Sequence, residues 1–195
     1  MGTCCSRFLR LSQRCCSLFE LIDRDREHLR RWLPWVEQSR EASDSEAFIL
    51  HCGEEIRDGR GLHYAIWSSA ELSGLVSLHV NRAHRTASAG VWLATACQGR
   101  GLATRALRAL CDYGIKVMGL ARIEYAAATE NTASLAVADR LGFTFEGVLR
   151  SRELVNGRHV DHAVYSRISS PERDKEALSS DDDGRRERGT FAAGS

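Results

Sequence analysis

The sequence predicts an α+β fold: a mixed, mostly antiparallel central sheet of about seven strands, one pair of them parallel, flanked by about four helices. Three observations carry this. Strand-like alternation recurs at 64–67, 72–80 and 87–95 with no helix between, which reads as an antiparallel meander. A long amphipathic pattern then separates 87–95 from the next strand, 122–129, and a helical crossover makes that pair parallel. The closing strands, roughly 143–154 and 159–168, meet at Asn156-Gly157, a strong hairpin signal.

The elements follow in order. Phe8-Leu9-Arg10-Leu11 fits a short first strand. Leu18, Leu21, Ile22 and Leu29 recur near a 3.6-residue period, predicting a helix that Pro34 stops at or near Leu33. Ala47, Ile49, Leu50 and Ile56 mark a second helix ending at Asp58-Gly59. Ser68-Ser69-Ala70-Glu71 is the loop between the first two strands of the meander. In the crossover helix, Ala103, Ala106, Leu107, Leu110, Cys111, Val117 and Met118 make one apolar stripe, and Gly119 is placed to end it. Asn131 is a good N-cap for the last helix, in which Leu135, Ala138 and Leu141 face inward before Gly142-Phe143 closes it.

Residues 1–8 read as an N-terminal extension, 9–168 as one domain, and 169–195 as a charged, disordered tail too poor in large apolar residues to offset its ordering entropy. Asp181-Asp182-Asp183 reads as a solvated run. Net charge is +1 with both signs interspersed, so no nucleic-acid partner is expected. No apolar run approaches the ~18 residues of a membrane span, so no membrane partner is expected either. Arg7, Arg10 and Arg14 interrupt any secretory core. Met1-Gly2 with Ser6 and neighbouring cysteines matches the loose N-myristoylation pattern, as would a chance match or a start assigned too early. Seven cysteines form neither a zinc motif nor a disulfide framework, which points to a reducing, cytoplasmic setting.

The chemistry-bearing stretch is Gln98-Gly99-Arg100-Gly101-Leu102-Ala103-Thr104, where a strand hands over to a helix. Free N–H groups and the positive end of the dipole lie in a helix's first turn, and Gly99 and Gly101 let a ligand approach the backbone. Together they make a phosphate cradle. A ligand-free turn has the same local pattern. A Rossmann site needs glycine or alanine where Thr104 stands, and an acid closing the next strand where Glu124 instead opens it. A P-loop needs a Gly-Lys-Ser/Thr ending, which the chain lacks.

Four stretches stand in one order: Gly90-Val91-Trp92-Leu93, then Gln98–Thr104, then Asn131-Thr132-Ala133-Ser134, then Leu141-Gly142-Phe143 with Glu146-Gly147-Val148-Leu149-Arg150. Arg31-Trp32-Leu33-Pro34-Trp35 precedes them, and Asn156-Gly157 with Asp161 and Tyr165 follows. This set resembles the RimJ/RimL branch of the GNAT N-acetyltransferases across roughly residues 9–168. The resemblance implies the GNAT fold, with the parallel pair splayed and acetyl-coenzyme A lying between its strands. Backbone N–H groups from Arg100 to Thr104, with Gln98 and Gly99 in the same loop, are then expected to hold the pyrophosphate. The main chain of Val91, Trp92 and Leu93 is expected to pair with the pantetheine arm, and Asn131 to touch it. Val91 replaces the branch's usual tyrosine, a small change if its backbone does the binding.

The implied reaction is attack of a neutral amine on a thioester, served by a general base and by an acid that protonates the leaving thiolate. A protein α-amine loses its proton far more readily than lysine. Many GNAT enzymes carry a tyrosine acid where this chain has Ala138. Ser134 matches the serine of the RimL-like N-x-x-S motif and is the candidate acid, against a local helix-start hydrogen bond. Glu153 matches the RimL-like base, against an exposed strand carboxylate, with Glu146 a lesser candidate. Trp32 and Trp35 are expected to wall an acceptor groove, although core packing explains tryptophans as well. No metal is required. His159 and Asp161 share a strand face from which His162 points away, so no metal site is expected there. The acceptor is expected to be a protein N-terminus of the ribosomal-protein kind. A small amine (polyamine, amino sugar or aminoacyl-nucleotide toxin) and a non-catalytic coenzyme-A-binding module are the alternatives. A monomer and a homodimer both fit.

Overall fold

The computed structural model describes residues 15–169. The helices are α1 (Cys15–Arg24), α2 (Arg26–Leu29), α3 (Ala42–Arg57), α4 (Leu102–Lys116) and α5 (Thr132–Arg140). The strands are β1 (Gly61–Ser68), β2 (Glu71–Asn81), β3 (Thr86–Leu93), β4 (Arg122–Ala128), β5 (Thr144–Val155) and β6 (Arg158–Ile168). They form one sheet in the order β1-β2-β3-β4-β6-β5. Every neighbouring pair is antiparallel except β3–β4, the pair joined by α4. This is the expected mixed sheet, with six strands among the described residues rather than about seven. The strand expected at 8–11, the N-terminal extension, the cysteine doublet at 4–5 and all of the charged tail beyond Ser169 lie outside them.

The helix expected to run unbroken toward Leu33 is divided at Asp25. The reason is tertiary. The Asp25 carboxylate Oδ2 accepts from the Thr95 backbone N–H at 2.6 Å and from its hydroxyl at 3.0 Å, tying the break to the turn after β3. Pro34 opens a separate 3-10 turn, Pro34–Gln38, where its missing N–H costs no hydrogen bond.

Strand alternation assigns each side chain to one of two faces. On one face Val76, Leu78, Ala87, Ala89, Ile123 and Tyr125 pack under α4 and α5, against Leu107, Leu110, Cys111 and Ala138. On the other, Leu72 and Leu75 pack under α1 and α3, against Leu18, Leu21, Ile22, Leu29 and Ile49. Three residues of the expected stripes are exposed: Val117, Leu50 and Ala47. Val117 lies past the end of α4 and is exposed, its inward place taken by Ile115. Leu50 is exposed because it sits one position around the helix from Ile49, and Cys52 continues that buried line.

A polar network stitches β4, β5 and β6 on the α1/α3 face. Arg122 donates to both oxygens of Glu146 and to Glu124, and the buried Ser166 hydroxyl donates to Glu146 Oε1 at 2.6 Å. The Arg122 hydrogen bonds, then that of Ser166, draw the Glu146 carboxyl down from 4.5 to about 2.

Leu107 is fully buried at the centre of the α4 interface, so Leu107→Ala is expected to destabilise the fold by about 2–5 kcal/mol in urea denaturation. Because the Glu146 pKa is lowered on folding, its contribution is complete above pH ~4.5 and fades as pH falls toward ~2. Wild type should therefore melt above Glu146→Gln at pH 7, and thermal melts should converge as the buffer is acidified through that window.

Candidate active site

β3 and β4 share a ladder only from Thr86/Arg122 to Ala89/Tyr125. Beyond it β3 stays bound to β2 as far as Leu93/Gly74, and β4 stays bound to β6 as far as Ala128/His162. The strands therefore part after Ala89 and Tyr125, and Gly90–Leu93 presents a backbone edge with no β4 partner. An extended chain of amides can add to such an edge as a strand would. The expected pantetheine contacts, Val91, Trp92 and Leu93, all lie along it. Gly74 keeps β2 close behind: a Cβ there would stand 2.1 Å from the Trp92 carbonyl oxygen.

At the far end of β3 the chain turns into α4. Gly99 and Gly101 have φ of +72° and +70°, in the left-handed region that glycine enters without strain. Gly101 is the N-cap of α4 and supplies no side-chain cap. The first-turn N–H groups of Leu102, Ala103 and Thr104 thus have no intrahelical acceptor, and the dipole adds positive potential. Space beside Gly99 is open. Arg100 is exposed, and its carbonyl accepts from the Arg105 guanidinium at 3.0 Å. The Gln98 side chain is used internally, donating to the Leu93 carbonyl at 3.3 Å and meeting His28 Nε2 at 2.9 Å. That makes Gln98 a brace between the cradle and α2.

Ser134 sits in the first turn of α5, where its N–H donates to the Asn131 side chain at 3.1 Å. Asn131 therefore serves as the cap. The Ser134 hydroxyl also lies 2.5 Å from the Tyr125 hydroxyl. Tyr125 belongs to the last β3–β4 pair before the strands part. Burial raises its pKa, so the phenol stays protonated at neutral pH. Sequence reading missed Tyr125. Its alternation within 122–129 marks it only as a core aromatic, and Ala138, where a tyrosine acid was sought, is fully buried in that core.

Glu153 and His162 meet on the opposite, α1/α3 face, with Glu153 Oε2 3.2 Å from His162 Nε2. A two-sided irregularity in β5 between Leu149 and Glu153 brings them together. Asp161 instead accepts from the Ser151 N–H at 2.8 Å, inside that irregularity. Glu146, the lesser base candidate, is held by Arg122 and Ser166.

A cavity of about 620 Å³ opens on the same face, between the sheet and α1 and α3. Val91 and Trp92 reach its floor, and Trp35 stands over it with its ring 5.9 Å from that of Trp92. Trp32 is half-buried in the turn after α2 and does not line it. The cavity's polar lining includes Ser39 and Ser45, whose buried hydroxyls have no hydrogen-bond partner among the described residues. Among the described residues Asp44 is the single carboxylate of the lining, and backbone N–H groups of Arg40 and Glu41 hold it below the usual carboxylate range as a cap of α3.

His63 and His79 complete the wall and meet Glu55 of α3 behind it. Burial alone would raise the Glu55 carboxyl. The His63 hydrogen bond and the charges of His79, His63 and His51 outweigh it, and the group sits below its ordinary value. Burial pushes the His63 imidazole down. No motif flagged this cluster, because its members come from three elements.

Comparison with known proteins agrees with this geometry. Residues 16–144 match the family model described as an acetyltransferase (GNAT) domain. The Bacillus subtilis (strain 168) protein named "Putative ribosomal N-acetyltransferase YdaF" is 34% identical over 151 residues, which span 76% of this chain and 82% of that protein. Spermidine N(1)-acetyltransferase of Escherichia coli (strain K12) is 31% identical over 128 residues, 64% of this chain and 67% of that one. Among solved structures, the ribosomal L7/L12 alpha-N-protein acetyltransferase RimL in complex with coenzyme A superposes with a TM-score of 0.77 at 26% identity, covering 80% of this chain and 88% of that one.

Proposed function

The chain belongs to the GNAT acetyltransferase family and is an acetyl-CoA-dependent N-acetyltransferase; from that premise we propose that its acceptor is the α-amine of a protein N-terminus, of the ribosomal-protein kind. The observation that carries this is the chemistry of the cavity. A polyamine brings several cations, and the cavity's one carboxylate, Asp44, is committed to capping α3. An N-terminal peptide brings one amine followed by amide groups. The unpartnered Ser39 and Ser45 hydroxyls can hydrogen-bond those amides, which would relieve the penalty of burying them. Trp35 and Trp92 offer apolar walls to a first side chain. Relatives named for ribosomal substrates support the same reading.

In this proposal the Gly99–Thr104 turn holds the diphosphate of acetyl-CoA and the free β3 edge orients its arm. Acetyl-CoA supplies the thioester carbonyl. The acceptor nitrogen bonds to that carbon, the carbon–sulfur bond breaks, and the acceptor's proton leaves to a base. Glu153, oriented by His162, takes that proton directly or through a water. Ser134 donates to the departing thiolate and is itself hydrogen-bonded by Tyr125, whose neutral phenol replenishes the proton. Acid and base lie on opposite faces of the sheet with the parted strands between them. Such an arrangement serves a co-substrate held in the gap and an acceptor arriving from the cavity side.

Ser134→Ala and Glu153→Gln are each expected to lower kcat at least tenfold while leaving the Kd for acetyl-CoA within about twofold. Tyr125→Phe should lower kcat less, with an unchanged KM for acetyl-CoA and an altered basic limb of the pH–rate profile. Wild-type rates in both Ser134→Ala and Glu153→Gln, measured with a good acceptor, would remove those roles. The acceptor class is tested by thiol release with a panel of N-terminal peptides and polyamines. Peptides beginning with serine or alanine should exceed spermidine in kcat/KM by at least about tenfold; the reverse order would make the protein a small-amine acetyltransferase.

A further inference from the structure

Three imidazoles converge on one carboxylate behind the cavity wall. Glu55 Oε2 lies 2.7 Å from His63 Nε2 and 3.6 Å from His79 Nδ1, and Glu55 Oε1 lies 3.8 Å from His51 Nε2. One ligand atom from each of Glu55, His63 and His79 falls within 4.8 Å of the others. This is more nitrogen than a single ion pair needs. The fold places it there by register: His63 faces Ser77 and His79 faces Gly61, so the two histidines are diagonal neighbours on one sheet face, and α3 lays Glu55 over them. Gly61 leaves the room. A Cβ at that position would stand 2.7 Å from His63 Nε2 and 3.1 Å from Glu55 Oε2.

We propose that Glu55, His63 and His79 form a binding site for a divalent cation of the Zn²⁺ class in the wall of the cavity, apart from Ser134, Glu153 and the Gly99–Thr104 turn. Two imidazole nitrogens and one carboxylate oxygen are a set that Zn²⁺ takes with a further position open. Bonds of 2.0–2.2 Å in a tetrahedron put ligand atoms roughly 3.3 Å apart, and the distances of 2.7 and 3.6 Å bracket that value. An ion would replace the proton shared by Glu55 and His63 and needs only a small shift of the exposed His79. Imidazole-rich sites select Zn²⁺, Ni²⁺ or Cu²⁺ over Mg²⁺ and Ca²⁺, which prefer all-oxygen shells. The proposal is independent of which amine the enzyme acetylates.

The test uses Co²⁺ as a spectroscopic stand-in for Zn²⁺ on the full-length protein. One equivalent should produce visible d–d bands without a thiolate-to-metal charge-transfer band, and Zn²⁺ should abolish them while Mg²⁺ does not. Cys16 is exposed and Cys15 half-buried; these thiols and those of Cys4 and Cys5 are the competing ligands, so the bands should persist in a Cys4→Ser/Cys5→Ser/Cys15→Ser/Cys16→Ser variant. His79→Ala should weaken Co²⁺ affinity by about tenfold or more, and His63→Gln should do the same. His79 is 54% exposed, so His79→Ala decides the matter if His63→Gln melts early. Absence of bands at a large excess of Co²⁺ would overturn the site. Bands with thiolate charge transfer that survive His79→Ala would overturn it as well, by moving the ion to the cysteines.

Discussion

The parting of β3 from β4 is the constraint on which the rest depends. A buried strand edge left without hydrogen-bond partners is costly, yet this sheet opens one at its centre. Each strand is held from its outer side instead, β3 by β2 and β4 by β6, and the gap between them never has to close. In the proposed reading, the arm of the co-substrate is the partner that the edge lacks. Gly74 contributes by giving the β3 backbone room to lie close against β2.

The proposed mechanism places its groups on two faces of the opened sheet. Ser134 of α5 meets Tyr125 on the α4/α5 side, while Glu153, His162 and the cavity lie on the α1/α3 side. Each half is braced by groups far away in sequence. Asp25 pins the broken first helix to Thr95, Gln98 links the cradle to His28, and Asn156 in the last hairpin donates to the Arg30 carbonyl. The first helices therefore serve as the wall of the cavity and as a strap across the cradle.

In the proposed mechanism the phenol stands at a different place in the fold from the one the resemblance implies. The last helix carries Ala138 where many family members carry a tyrosine. Here a tyrosine hydroxyl reaches the first turn of that helix from the neighbouring strand, through Tyr125. Burial keeps it protonated, as the proposed acid role requires. The serine is then one member of a hydrogen-bonded pair.

The sequence by itself determined the α+β class, the parallel pair and the strand-to-helix cradle. These are local properties: alternation along a strand, 3.6-residue spacing along a helix, glycines able to take positive φ, an asparagine able to cap. It determined the family too, because four short motifs kept their order. Tertiary structure alone decided which groups meet. Asp25 breaks a helix that periodicity would continue, because its carboxylate finds Thr95. Gln98 turns inward, Glu146 is consumed by Arg122, and Tyr125 reaches Ser134. Glu55, His63 and His79 gather from a helix and two strands. A side chain's partner depends on register and on the packing of distant segments. Neither is written in the residues that flank it.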